Sequence, residues 1–277
     1  MNNIPLPLMS FLNYMETIQG KSKNTVKEYY YDLRTFFRYL KVQRGLVPKT
    51  AEFEKIRIDD VDIDLIKSVT LNDLYGFISY VSFKRDNSNS AKARKVSTLR
   101  SFFKFLHGKM KMIDENPASE LETPKTPSRH PVYLTLAEAR ELLEAVEGEF
   151  RDRDYCILTL FLNCGLRLSE LVGINISNIR GDTMTVIGKG NKERTVYLND
   201  ACLKAIEDYL RVRPRDGVRD RDALFLSKRK QRISNKTVQH IVKKYVEKAG
   251  LDTERYSTHK LRHTAATLMY KHGDVDI

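Results

Sequence analysis

No stretch of this sequence is apolar for long enough to cross a bilayer. The most hydrophobic run, residues 155–166, falls well short of the ~20 residues that a spanning helix needs. The opening MNNIPLPLMSFLNYMETIQG has neither a basic n-region nor a continuous apolar h-region, which argues against a signal peptide. No lipidation signal is seen either. Cysteine is scarce: Cys156, Cys164 and Cys202 are three in number and show no CxxC spacing. That excludes a disulfide framework or a paired-cysteine zinc site. Cys156 and Cys164 sit in an apolar pattern and read as buried, reduced thiols, so a reducing cytoplasm is expected. A GxxxxGK[ST] loop and an acidic metal cluster are also missing, which removes the usual signatures of nucleotide-triphosphate and metal chemistry.

What is present is charge of one sign. The 277 residues carry 48 Lys and Arg against 36 Asp and Glu, a formal net charge of +12, with 41% hydrophobic and 30% charged residues. This is a soluble, globular composition long enough for two modest domains. The surplus favours a polyanionic partner. With membrane disfavoured, nucleic acid is the expected one.

The first part of the chain reads as helices. Residues 8–18 carry an apolar stripe broken by Gly20. Ser22 or Asn24 can cap a helix running to about Val42, with Val26, Tyr29, Leu33, Phe36, Phe37 and Leu40 on one face. Residues 44–70 read as a long connection with one short helix, residues 71–83 as another helix, 87–90 as a turn and 91–106 as a fourth helix. Then Pro117, Pro124, Pro127 and Pro131 crowd one segment, which favours an extended linker. The expected division is residues 1–115 as a helical bundle, 116–132 as linker and 133–277 as a second domain. In the latter, Thr135 and Glu138 form a capping-box pattern and residues 151–166 a buried helix. TMTVI (183–187) and RTVYL (194–198) flank GKGNKE as a β-hairpin. Further helices are expected over 200–212, 235–249 and 259–272. The fold class is thus mainly α with a small β-sheet.

Three segments carry the chemistry: NCGLRLSEL with Arg167, IGKGNKERTVYL with Lys189 and Lys192, and STHKLRHTAATLMYKHG with His259, Arg262 and His263. Positions 259, 262 and 263 share one helical face. A helix N-terminus attracts anions, and arginine adds a planar fork that matches phosphate oxygens. Two forks from separate segments suit a phosphoryl group whose charge grows in the transition state. A hairpin lysine can protonate a leaving oxygen, and histidine can move a proton near neutral pH. His259 and His263 at i, i+4 have the spacing of a zinc pair, but HKLRH lacks the glutamate of HExxH.

GLRLSEL, GKGNKER and HKLRHT, in this order and at these separations, resemble the tyrosine recombinase or phage-integrase family, Xer-like members above all. SKNTVKEYYYDLRTFFRYL, ARKVSTLRSFFKFL and ENPA extend the likeness over nearly the whole chain. The resemblance implies a SAM-like N-terminal core-binding domain and a C-terminal catalytic domain clamped on duplex DNA, a synaptic tetramer, no membrane, no cofactor and no metal. The location implied is the prokaryotic cytoplasm, at the nucleoid. DNA would be cut and rejoined through a 3′-phosphotyrosyl link. Matched by position, Arg167 and Arg262 correspond to the phosphate-clamping arginines, Lys189 to the general acid and His259 to the proton-transfer assistant. Glu170 and His263 would support them from behind. Implied DNA contacts are Lys21, Lys23, Thr25 and Lys27; Lys92, Arg94, Lys95 and Arg100; Lys192 and Arg194; and Lys228, Arg229, Lys230 and Arg232. Family members continue past KHGDVDI to the nucleophilic tyrosine. None of the fourteen tyrosines here matches it, so this chain is expected to hold a phosphate without attacking it. Chromosome resolution and mobile-element integration both remain open, as do a type IB topoisomerase-like enzyme and a non-catalytic DNA-binding regulator.

Overall fold

The computed structural model describes residues 4–48, 50–125, 132–188 and 190–272, without the side chains of the last two. The chain divides into two compact units, residues 1–128 and 129–277. No helix among the described residues is long and apolar enough to cross a membrane.

The first unit is all helical. Helix α1 (Leu6–Asn13) runs on through a π turn to Ile18, and Gly20 then takes a positive φ of 59°, which a side chain would resist. Helix α2 (Lys23–Gln43) is capped by Ser22, whose hydroxyl accepts from the Thr25 amide, so the first of the two expected caps is the one used. The connection that follows holds α3 (Ile63–Lys67) and is far from slack. Ile56, Ile58, Val61, Ile66 and Val69 along it are buried. Two α2 cations pin it: Arg38 donates to the Ile56 and Glu54 carbonyls, and Lys41 to the Arg57 carbonyl and the Asp60 carboxylate. Helix α4 (Leu71–Phe83) starts on a Thr70/Asp73 capping box, and α5 (Asn89–Gly108) on Ser88. The start of α5 therefore absorbs part of the turn expected at 87–90. Phe11, Phe36, Phe37, Phe77, Phe102 and Phe103 fill the core, meeting largely edge to face. Ala118 and Leu121 join them. Residues 116–121, expected as linker, thus pack on the first unit, because two apolar side chains outweigh a single neighbouring proline.

The second unit is built around α7 (Arg151–Cys164), buried along nearly its whole length. Helix α6 (Leu136–Glu144) precedes it on the expected Thr135/Glu138 capping box. After α7 come the short α8 (Leu168–Val172) and three strands: β1 (Ile179–Arg180), β2 (Thr183–Ile187) and β3 (Glu193–Tyr197). They form one antiparallel sheet in the order β1-β2-β3, with Ile187 opposite Glu193 and Thr183 opposite Tyr197. The hairpin matches expectation to within one residue; β1, two residues long, is an addition. Helices α9 (Asp200–Val212), α10 (Asn235–Lys248) and α11 (Thr258–His272) complete the unit, and α7 packs against both α9 and α11.

A candidate phosphate-binding site

Helix α7 ends at Gly165, left-handed at φ 56°, and the chain reverses to present Arg167 at the start of α8. Three residues on stands Glu170, whose side chain is wholly buried. Glu170 Oε2 accepts from the Arg167 amide at 2.8 Å, and Oε1 from Arg167 Nη1 at 2.8 Å. From β3, Arg194 Nη2 donates to Oε2 at 2.9 Å. From α11, Arg262 Nη1 lies 3.6 Å from Oε2 and donates to the Gly165 carbonyl at 2.9 Å. One carboxylate therefore gathers guanidiniums from three separate parts of the chain.

The hairpin reaches the same point. A Cβ on Gly188 would come within 3.3 Å of Glu170 Oε1 and 3.7 Å of Arg167 Nη1. The first glycine of GKG thus lets backbone approach the cluster closely. Its amide donates to the Lys192 carbonyl at 2.8 Å, closing the root of the turn. Burial alone would raise the Glu170 carboxyl, but hydrogen bonds from Arg194 and from the Arg167 backbone and side chain prevail and hold it down at about 2. Arg262 is shifted the other way: burial, then the nearby Arg167, lowers its guanidinium from the ordinary value, and it stays charged near neutrality all the same. Three cations facing one anion leave two positive charges in excess.

That excess faces a cleft of about 360 Å³ lined by Arg167, His259, Arg262, Ser169, Asn235, Thr258, Leu166 and Leu168. Asn235 and Thr258 are the first residues of α10 and α11, so two helix N-termini add to the pull on an anion. His259 and His263 are exposed, with their Nε2 atoms 3.1 Å apart. Burial, then His259, Lys260 and Arg262, lowers the His263 imidazole below its ordinary value. The cluster offers fixed donors for a tetrahedral anion beside a proton-transfer group.

Arg167, Glu170, His259, Arg262 and His263 thus come together. Lys189 lies outside the described residues. Arg194, expected on DNA, also donates to buried Glu170, with its own side chain 39% exposed. Strand alternation signals this, since Arg194 shares a face with buried Val196 while Thr195 and Tyr197 point out. Two other expected DNA contacts are corrected. Lys95 is buried, with Nζ 2.7 Å from Asp32 Oδ1, because a buried carboxylate needs a cation. Arg232 donates to Asp220 Oδ2, the Val172 and Ile174 carbonyls and Asn175 Oδ1. It holds that loop and has no fork to offer. Arg94 is drawn into the Asp32 cluster too, at 2.5 Å from Oδ2, while half-exposed Lys92 meets Ser82. Arg100 reaches Thr123 and Lys230 the Asp216 carbonyl, both from exposed positions. Lys21, Lys23, Lys27, Lys192, Lys228 and Arg229 are exposed, and half-buried Thr25 bonds Ser22.

Residues 132–277 match the model of the phage integrase family. The chain is 59% identical over 273 residues to tyrosine recombinase XerC of Caldanaerobacter subterraneus subsp. tengcongensis, covering 99% of this chain and 77% of the relative. It is 36% identical to tyrosine recombinase XerD of Proteus mirabilis, covering 95% and 79%. Among solved structures, XerH bound to palindromic difH in a post-cleavage complex superposes with a TM-score of 0.71 at 20% identity, over 95% of this chain and 74% of the other. A lambda integrase dimer bound to a COC′ core site gives 0.68 at 18% identity, over 95% and 90%. At such identities these two likenesses speak for the fold, while the sequence relatives speak for the family. With residues 132–277 matched to the family and a relative 59% identical over nearly the whole chain, the chain belongs to the tyrosine recombinase (phage integrase) family.

Proposed function

We propose that this chain is the DNA-binding and phosphate-clamping body of a site-specific recombinase, Xer-like in type, acting on duplex DNA in a tetrameric synapse in the prokaryotic cytoplasm. The single observation that carries the reading is the convergence of Arg167, Arg194 and Arg262 on buried Glu170. The division of labour proposed is residues 1–115 as the core-binding domain with 116–121 packed on it, the segment up to 132 as linker and 133–277 as the catalytic domain.

In this mechanism Arg167 and Arg262 grip the non-bridging oxygens of the scissile phosphate and stabilise the charge that builds there during attack. Glu170 aims Arg167 and neutralises part of the cluster, so that the forks can lie close together. His259 takes up the nucleophile's proton, and Lys189 delivers one to the 5′-oxygen as it leaves. The energy of the broken phosphodiester is kept in a 3′-phosphotyrosyl bond, which the 5′-hydroxyl of another strand later attacks.

No tyrosine lines the cleft among the described residues. The reading proposed for these 277 residues by themselves is that they bind duplex DNA without becoming linked to it. A nicked suicide duplex followed by denaturing electrophoresis tests this. No covalent adduct is expected from the 277-residue polypeptide, and an adduct is expected once a tyrosine-bearing segment follows residue 277. An adduct with the shorter polypeptide would place the nucleophile among the tyrosines present and overturn this reading.

A further inference from the structure

Beside the proton-transfer role proposed for His259, its pairing with His263 is a feature that the mechanism above does not use. His259 and His263 stand one turn apart on α11, both exposed, with nearly perpendicular rings and Nε2 atoms 3.1 Å apart. With metal–nitrogen bonds of about 2.05 Å, a tetrahedral ion needs two donors about 3.3 Å apart, and a right-angled pair of sites needs about 2.9 Å. The observed separation falls between the two. An α-helix holds i, i+4 side chains in this relation without further folding, so the ion need not bring the ligands together.

We propose that His259 and His263 form a bidentate site for a divalent transition metal of the kind imidazole favours, zinc, copper or nickel. On binding, each neutral ring presents Nε2 to the ion and carries its proton on Nδ1, replacing the Nε2–Nε2 hydrogen bond. Among the described residues no cluster of three His, Cys, Asp or Glu is placed to hold a metal. Water therefore fills the remaining positions, and the ion exchanges readily. Lys260 and Arg262 on the same helix and Arg167 across the cleft repel any dication and weaken the site, while the two imidazole nitrogens favour zinc, copper or nickel over magnesium or calcium. The site is separate from the strand-transfer chemistry proposed above: an ion on His259 occupies the lone pair that proton transfer requires. Bound metal is thus a reversible brake that sits beside the phosphate cleft.

The test is an isothermal titration of zinc chloride into the 277-residue polypeptide at pH 7.5 in a non-chelating buffer. One equivalent should bind saturably, and the heat should vanish in His263→Ala and in His259→Ala while surviving in His240→Ala. Both altered residues are exposed, and far-ultraviolet circular dichroism checks that each variant keeps its helices. An absence of saturable binding, or binding unchanged in both variants, overturns the proposal. The titration reads the metal alone, so its failure leaves the recombinase reading untouched, and the loss of that reading leaves the titration's meaning intact.

Discussion

Asp32 in the first unit and Glu170 in the second are both buried carboxylates held by cations, yet the two clusters are balanced differently. Around Asp32, Lys95 and Arg94 are matched by Asp32 and by Glu28, which also pairs with Arg94. The charges cancel, and the Thr98 hydroxyl takes up a remaining lone pair. Around Glu170, three guanidiniums share one carboxylate, with side chains 50%, 39% and 31% exposed at Arg167, Arg194 and Arg262. The first cluster is balanced in charge and joins α2 to α5. The second is open and keeps unspent charge facing a cleft. What separates a structural ion cluster from a functional one here is the remainder after pairing.

The largest effect that follows concerns that remainder. In a polypeptide carrying the tyrosine segment, Arg167→Ala or Arg262→Ala should slow single-turnover cleavage by on the order of 10²–10³-fold, the usual cost of losing one charge-stabilising donor, while duplex binding largely persists. Arg94→Ala should leave the cleavage step near its normal rate. Equal losses at Arg94 and Arg167 would erase the distinction between the clusters.

Next in size are the carboxylates. Asp32→Asn strands the buried Lys95 ammonium, and breaking such a pair costs about 3 kcal/mol or more; Glu170→Gln leaves three partly exposed guanidiniums that water screens, so its cost is smaller. Thermal unfolding should show both losses, but only Glu170→Gln should also impair cleavage. The depressed Glu170 carboxyl adds a pH signature. Its stabilisation is fully present above the unfolded carboxylate value of ~4.3 and is lost as pH falls toward about 2. Acid unfolding of the second unit should therefore steepen across that window, and Glu170→Gln should remove the steepening. An unchanged acid profile would mean that the three guanidiniums do not hold the carboxylate ionised.

The smallest effect lies on the surface. Exposed Lys228, if it meets a phosphate, should on change to Gln reduce the salt slope of duplex binding by about 0.9, one counterion's worth. Lys95→Met should leave the slope where it was, since that ammonium is buried on Asp32. The same slope change in both would show that Lys95 swings out to DNA.

Much of this was legible in the sequence. The α4 and α9 bounds, the Thr135 cap and the hairpin follow from local periodicity and turn chemistry, which report on residues a few positions apart. The segments bearing Arg167 and Arg262 were legible through their ordered motifs. What was not legible depends on partners far along the chain. Nothing near Lys95 announces that Asp32 will be buried beside it, and the carbonyls that claim Arg232 belong to residues 172 and 174. A basic residue read locally looks solvated until its carboxylate is located. The two-residue β1 is too short to show a period, and Ala118 and Leu121 lay hidden among prolines. Arg194 stands between the cases: alternation along β3 points it inward, and only the fold reveals Glu170 waiting there.

The central claim is that the unpaired charge around Glu170 holds a phosphate, and the structure of these 277 residues on a DNA duplex meets it most directly. The account predicts one backbone phosphate in the cleft, within hydrogen-bonding distance of both Arg167 and Arg262, with Glu170 still bridging Arg167 and Arg194. A duplex bound with that cleft empty of phosphate, or with Glu170 released from its arginines, would contradict it.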